Sequence, residues 1–168
     1  AENNQEAYDN YLQAMPIAEH PDVRLPIMVC QDGFITSHSV ENIELLEDEA
    51  VKPFVGEYTP EHYLLKHENP LAYGVSAYYM EAKMAQAQAM VNAKQVILDV
   101  GKRFAALTGR QYGLLERYRM EDAEEAIVLI GSSAGTARVC VDVLRAQGRR
   151  VGMIKVRVYR PGAPERAV

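Results

Sequence analysis

The chain has 168 residues, 48% of them hydrophobic, and a formal net charge of −5. This is enough apolar material for one or two packed cores. The acidic balance excludes nucleic acid as the main partner, because phosphate binding needs a concentrated basic face. No apolar run approaches the roughly 20 residues that span a bilayer, and no secretory signal is visible, so no membrane partner and a cytoplasmic location are expected.

Residues 3–19 predict a helix, with Tyr8, Tyr11, Leu12 and Met15 recurring at steps of three and four as its apolar face. Pro21 and Pro26 bracket a break, and the apolar run 25–30 predicts a short buried strand. Gln31, Asp32, Gly33 and Phe34 then predict a turn, since Asp-Gly favours backbone with positive φ. Residues 35–75 are the least regular. They hold Pro53, Pro60, Pro70, Gly56 and Gly74, and an acidic run over 41–49 that predicts a solvated edge. Their aromatics, Phe54, Tyr58, Tyr63 and Tyr73, suit an ordered connector better than a free linker.

From Ser76 to Leu107 the pattern changes to a proline-free, alanine- and methionine-rich run. Met80, Met84, Ala87 and Met90, then Ala93, Ile97, Val100, Phe104 and Leu107, predict the apolar stripe of one long helix. Ser76 is its expected N-cap and Gly109 its stop, with Gly101 marking a kink or a close contact. The last third predicts a βαβ unit. Residues 126–130 form a strand covered on both faces, a Gly-Ser-Ser turn follows, and residues 134–147 form a helix with Val139, Cys140, Val143 and Leu144 inward. Gly148 ends it, and 151–159 return as a strand with Ile154, Val156 and Val158 on one face and Lys155 and Arg157 on the other. Arg149 and Arg150 suit the end of the helix dipole.

Cys30 and Cys140 lie far apart inside apolar stretches and predict buried free thiols in a reducing compartment. Without a C-x-x-C run the segment builds neither an iron–sulfur cluster nor a four-cysteine zinc site. His62 and His67, beside Glu61 and Glu68, fit no metal-binding spacing, so no metal ligands are assigned.

Two constellations can carry chemistry. In the first, Asp32, Gly33, Phe34, Thr36, Ser37 and His38 follow a predicted strand end, where α/β folds place functional groups. They can reach a cofactor or a subunit interface. Equally, Asp32 and Ser37 can brace the turn while His38 is structural. In the second, Gly131, Ser132, Ser133, Gly135 and Thr136 join a strand to a helix N-terminus, which favours anions. This is neither G-x-G-x-x-G nor a P-loop, and serine and threonine also serve as ordinary caps.

Four ordered segments resemble one family. These are Leu25-Pro26-Ile27-Met28-Val29-Cys30-Gln31-Asp32-Gly33-Phe34 with Ser37-His38; Tyr112-Gly113-Leu114-Leu115-Glu116-Arg117-Tyr118-Arg119 with Glu121-Asp122-Ala123-Glu124; Gly131-Ser132-Ser133-Ala134-Gly135-Thr136-Ala137; and Val151-Gly152-Met153-Ile154-Lys155-Val156-Arg157. Their order and intervals, over nearly the whole chain, resemble the alpha-type subunit of pyruvate (2-oxoacid):ferredoxin oxidoreductases. The resemblance implies a thiamine diphosphate enzyme that decarboxylates a 2-oxoacid oxidatively, forms an acyl-CoA and passes electrons through iron–sulfur clusters to ferredoxin, or runs in reverse. Pyruvate is the first expectation and a branched-chain 2-oxoacid the second.

The implied fold is α/β: a partial thiamine-diphosphate-binding-like first domain (1–50), a connector (51–75), and a long helix with a transketolase C-terminal-like βαβ second domain (76–168). The lack of an initiator methionine, with a start at Ala1 and a stop at Val168, suggests a piece of something longer. On this resemblance the activating glutamate and the 2-oxoacid contacts lie before Ala1. Magnesium, diphosphate and the clusters are held by other domains or by the beta-, gamma- and delta-type subunits, and this chain alone binds no cofactor and carries no catalytic residue. The family's Arg-Pro-Phe-Pro is replaced by Arg160-Pro161-Gly162-Ala163-Pro164, so residues 160–168 are expected to diverge or to be non-native. Two other readings remain open at this point: a self-contained nucleotide-binding module using the 131–136 turn, and a non-catalytic adaptor using the long helix.

Overall fold

A computed structural model describes residues 1–60, 63, 65, 67, 68 and 78–162. The expected Ser76 cap, Tyr73, His62, Glu61, Ala163 and Pro164 fall outside them.

The first helix, α1 (Asn4–Ala18), forms where its periodicity predicts. Asn3 caps it, its side chain accepting the Glu6 N–H at 2.8 Å. The buried face is not the expected one. Tyr11 and Met15 are exposed, whereas Glu6, Ala7, Asp9, Gln13 and Ile17 are buried. A polar stripe faces inward because cations from remote segments meet it, as described below. Residues 25–30 form no strand. Leu25 and Ile27 pack on the core while Met28 is 86% exposed. With no neighbouring strand among the described residues, one side of the segment stays in water, and Cys30 is exposed rather than buried.

The Asp32 turn leads into a single helical turn, α2 (Ile35–His38). Gly33 does not adopt positive φ, so the turn rests on the Asp32 side chain and not on glycine. The next helix, α3 (Asp48–Val55), occupies part of the stretch expected to be irregular. Pro53 removes one helical hydrogen bond. Asp48 and Glu49 complement the dipole at the first turn, and Phe54 is buried edge-on against Phe104 at 5.4 Å.

The long helix, α4 (Tyr79–Thr108), is present and ends at Gly109, whose φ of 73° closes it in the left-handed conformation. Its inward residues are Ala93, Val96, Val100, Gly101 and Phe104. The proposed stripe fails at both ends, since Met80, Met84 and Leu107 are exposed. Gly101 marks a close contact: a Cβ there would collide with the Tyr112 carbonyl oxygen. The helix packs with Ile17, Val23 and Phe54, so it shares a core with α1 and α3.

Three strands follow: β1 (Leu115–Tyr118), β2 (Glu125–Ile130) and β3 (Val151–Val156), in the order β1-β3-β2. The expected βαβ unit is there, with β2 parallel to β3 and α5 (Ser133–Ala146) between them. The first strand, assigned no structure from sequence, pairs antiparallel with β3. A second core joins Ala134, Ala137, Val141, Val151 and Met153. Val139, Cys140 and Val143 are exposed, contrary to expectation, because α5 meets the sheet through its small residues instead. The second strand is also not covered on both faces, since Ile127, Val128 and Ile130 are exposed. Arg149 and Arg150 pair with Glu125 and Glu124 respectively.

A candidate functional junction with a buried charge network

The structure brings the two expected constellations together. Asp32 organises its own turn: Oδ1 accepts the Phe34 N–H at 2.9 Å and the Thr36 N–H at 3.2 Å, and Oδ2 accepts the Thr36 hydroxyl at 3.0 Å. The Ser132 side chain of the second constellation, followed by the bonds from Phe34 and Thr36, holds this carboxylate well below the usual carboxylate range. Thr36 is buried. Phe34, Ser37 and His38 are exposed. The His38 ring stacks on Phe34 at 5.8 Å, and its Nδ1 lies 2.7 Å from the Ser37 hydroxyl.

On the other side of the junction, Gly131 has φ 78°, as a sharp strand-to-helix turn requires. Ser132 opens α5 without a capping hydrogen bond from its side chain. Ser133 donates to the Ile130 carbonyl at 3.1 Å. A Cβ on Gly135 would meet only the Glu2 carboxylate, at 3.9 Å, and Thr136 is exposed. Two carboxylates therefore stand beside the start of α5. The helix dipole there already faces internal negative charge, which opposes a phosphate.

Beside this junction lies a charge network that sequence reasoning missed. Asp9 is 0% exposed. Arg110 Nε donates to its Oδ2 at 2.6 Å and Arg110 Nη2 to its Oδ1 at 3.1 Å. The Tyr112 hydroxyl donates to Oδ2 at 2.6 Å, and its pKa is pushed up by burial and by this carboxylate. Glu6 accepts from Arg157 Nε at 2.6 Å and Lys155 Nζ at 3.3 Å. Burial alone would push Glu6 up; the charges of Arg157 and Lys155 outweigh it and bring the pKa down to about 2. Lys155, 4% exposed, also donates to Glu2 at 2.5 Å and lies 2.7 Å from Glu116. Arg138 bridges Glu2 and Glu116 at 2.9 and 2.5 Å. No buried side-chain polar atom among the described residues lacks a partner. The network ties α1 to β1, α5 and β3, joining the two cores through paired charges. Its open cleft, about 390 Å3, is bounded by Glu2, Glu6, Arg110, Glu116, Arg138 and Lys155, each of which already has an ion-pair partner.

Among the described residues no three acidic, histidine or cysteine side chains gather as a metal site, and no helix is long and apolar enough to cross a membrane.

A mixed α/β chain with a small three-stranded sheet, a long helix and a satisfied ionic junction is therefore the class the geometry defines. Residues 1–102 match the pyruvate flavodoxin/ferredoxin oxidoreductase, thiamine diphosphate-binding family, and residues 123–168 match pyruvate:ferredoxin oxidoreductase core domain II. The chain belongs to the pyruvate flavodoxin/ferredoxin oxidoreductase family. It is 48% identical over 164 residues to pyruvate synthase subunit PorA of Thermotoga maritima, and 41% identical over 165 residues to that of Methanocaldococcus jannaschii. It is 40% identical over 165 residues to ketoisovalerate oxidoreductase subunit VorA of Pyrococcus abyssi. These alignments take in 95–96% of this chain but only 41–42% of each relative, so the chain spans about two-fifths of their length.

The family description implies thiamine diphosphate, but the described residues do not fit its diphosphate. No set of three metal-binding side chains gathers among them, and the helix start best suited to an anion is flanked by Asp32 and Glu2.

Proposed function

We propose that the chain is part of the alpha-type subunit of a 2-oxoacid:ferredoxin oxidoreductase that converts pyruvate and CoA to acetyl-CoA, with ferredoxin taking the electrons, or runs the reverse synthesis. Its contribution is scaffold and subunit interface. The observation that carries this reading is the paired match of 1–102 and 123–168 to two domains of one enzyme family, together with 48% identity to a pyruvate synthase subunit. The transketolase C-terminal-like character of the βαβ unit, the magnesium ion, the beta-, gamma- and delta-type partners and the division at residues 50 and 75 belong to the same reading.

The Asp32 turn serves as a contact rather than a cofactor seat. Its carboxylate is committed to Thr36 and Ser132, while Phe34, Ile35 and His38 present an exposed tip for a neighbouring subunit. Titration calorimetry of thiamine diphosphate with magnesium into this chain should give no binding heat. Saturable binding in the micromolar range would overturn the assignment.

A branched-chain 2-oxoacid is the second reading, favoured by the 40% identity to a ketoisovalerate oxidoreductase subunit. An enzyme carrying this subunit should reduce ferredoxin faster with pyruvate than with ketoisovalerate; the reverse order selects the second reading.

A further inference from the structure

The backbone passes once between two bodies. The helical body is the core of α1, α3 and α4, and the sheet body is the core of α5 and the three strands. Their clusters of buried apolar residues share no member, and no backbone–backbone hydrogen bond among the described residues joins them. Side chains and charge make the seam. On its sheet side stand three cations, Arg138, Lys155 and Arg157, with one carboxylate, Glu116. On the α1 side stand two carboxylates, Glu2 and Glu6. An excess of two positive charges therefore faces two negative ones. Arg157 also donates to Asn10 Oδ1 at 2.6 Å and lies over the Tyr112 ring at 4.1 Å. Such contacts fix register more than they supply adhesion, and a polar seam between domains permits relative movement.

The crossing has an anchor on each side of one residue. Tyr112 belongs to the helical body: its hydroxyl donates to Asp9, and its carbonyl lies against Gly101 of α4. Leu114 belongs to the sheet body, its carbonyl accepting the N–H groups of Arg157 and Val158 at 3.0 and 3.1 Å. Only Gly113 lies between them. A hinge needs no more than a few such loop residues to absorb a change in φ and ψ.

We propose that Gly113 is a hinge and that Glu2, Glu6, Arg138, Lys155 and Arg157 are its latch. The sheet body swings as a unit to a minor open state in which both bodies keep their own structure. Closed, the latch holds Gly135 and the start of α5 beside Glu2; open, it carries them away. Loss of one latch carboxylate leaves neighbouring cations facing each other and shifts the population towards the open state.

The test uses the assembled enzyme at neutral pH. Spin labels at Lys102 of α4 and at Gln147 beyond α5, both exposed, should give one narrow distance, and Glu6→Gln should add a longer one. A second pair at Lys102 and Asp22, both on the helical body, should keep its distance in that variant. Amide exchange over 110–114 should rise about tenfold or more, while 93–104 of α4 and 151–156 of β3 keep their rates. Where Glu6→Gln does not assemble, Glu2→Gln, which alters the pairs with Arg138 and Lys155, carries the same expectation. An unchanged Lys102–Gln147 distance, or protection lost in both bodies together with the seam, would overturn the proposal. Neither readout depends on which 2-oxoacid the enzyme turns over, or whether it turns over any.

Discussion

At the residue scale, the account turns on Asp9 and Glu6, two carboxylates buried on a helix that should have buried tyrosine and methionine. A buried charge is tolerated only when paired and hydrogen-bonded, and Arg110, Tyr112, Lys155 and Arg157 provide this. Asp9→Ala removes the acceptor of the Tyr112 hydroxyl and of Arg110 Nε and Nη2, leaving Arg110 only Glu44, so it should cost about 3 kcal/mol of stability, read from denaturant unfolding. Glu6 sets a pH dependence with a definite sign. Its folded pKa, about 2, lies below the ordinary 4.5, so its stabilisation is fully present above about pH 4.5 and is lost as pH falls towards 2. Glu2 and Glu116 are lowered in the same direction. The melting temperature should therefore fall steeply across that window, and Glu6→Gln should flatten the fall. A profile with no acid limb there would contradict the network.

Local sequence made some of these residues visible but not their partners. Glu6, Asp9 and Gln13 share a helical spacing, so a polar stripe was legible beside the apolar one. Which stripe turns inward depends on Lys155 and Arg157, some 150 positions away, whose alternation with apolar neighbours in β3 was legible but reads equally well as a solvated face. The Asp32 turn was placed correctly, yet the effect of Ser132 on its carboxylate joins positions 100 apart that no local pattern connects.

At the element scale, the strongly periodic pieces were legible: α1, α4, α5, β2 and β3 lie within a few residues of their expected bounds. The misses share a cause. The short strand β1 exists because β3 offers it an edge, and α3 persists through Pro53 because Phe54 is buried against Phe104. Tertiary contacts settle both, and propensity alone argues against α3. The 25–30 run fails as a strand for the converse reason, since no partner strand lies beside it among the described residues.

Gly101 was legible as a special position, and the structure supplies the reason: α4 approaches the Tyr112 carbonyl too closely for any side chain. Gly101→Ala should raise helix propensity and still destabilise the protein, by about 1–3 kcal/mol, because backbone must shift. A gain in melting temperature would show that the approach is looser than described.

At the scale of the whole molecule, one core is built by α1, α3 and α4, a second by α5 and the sheet, and paired charges join them. That architecture suits a scaffold whose parts must hold a set position. It leaves the Asp32 turn committed to the junction, and the start of α5 neutralised from within.

Ferredoxin reduction by pyruvate and CoA, measured on the assembled enzyme with Asp32→Asn in this subunit, tests the scaffold assignment most directly. If the segment is a contact, kcat should stay within about threefold of the unmodified enzyme while the melting temperature drops. A loss of about 100-fold or more in kcat at unchanged melting temperature would place Asp32 at the reacting cofactor and contradict the account.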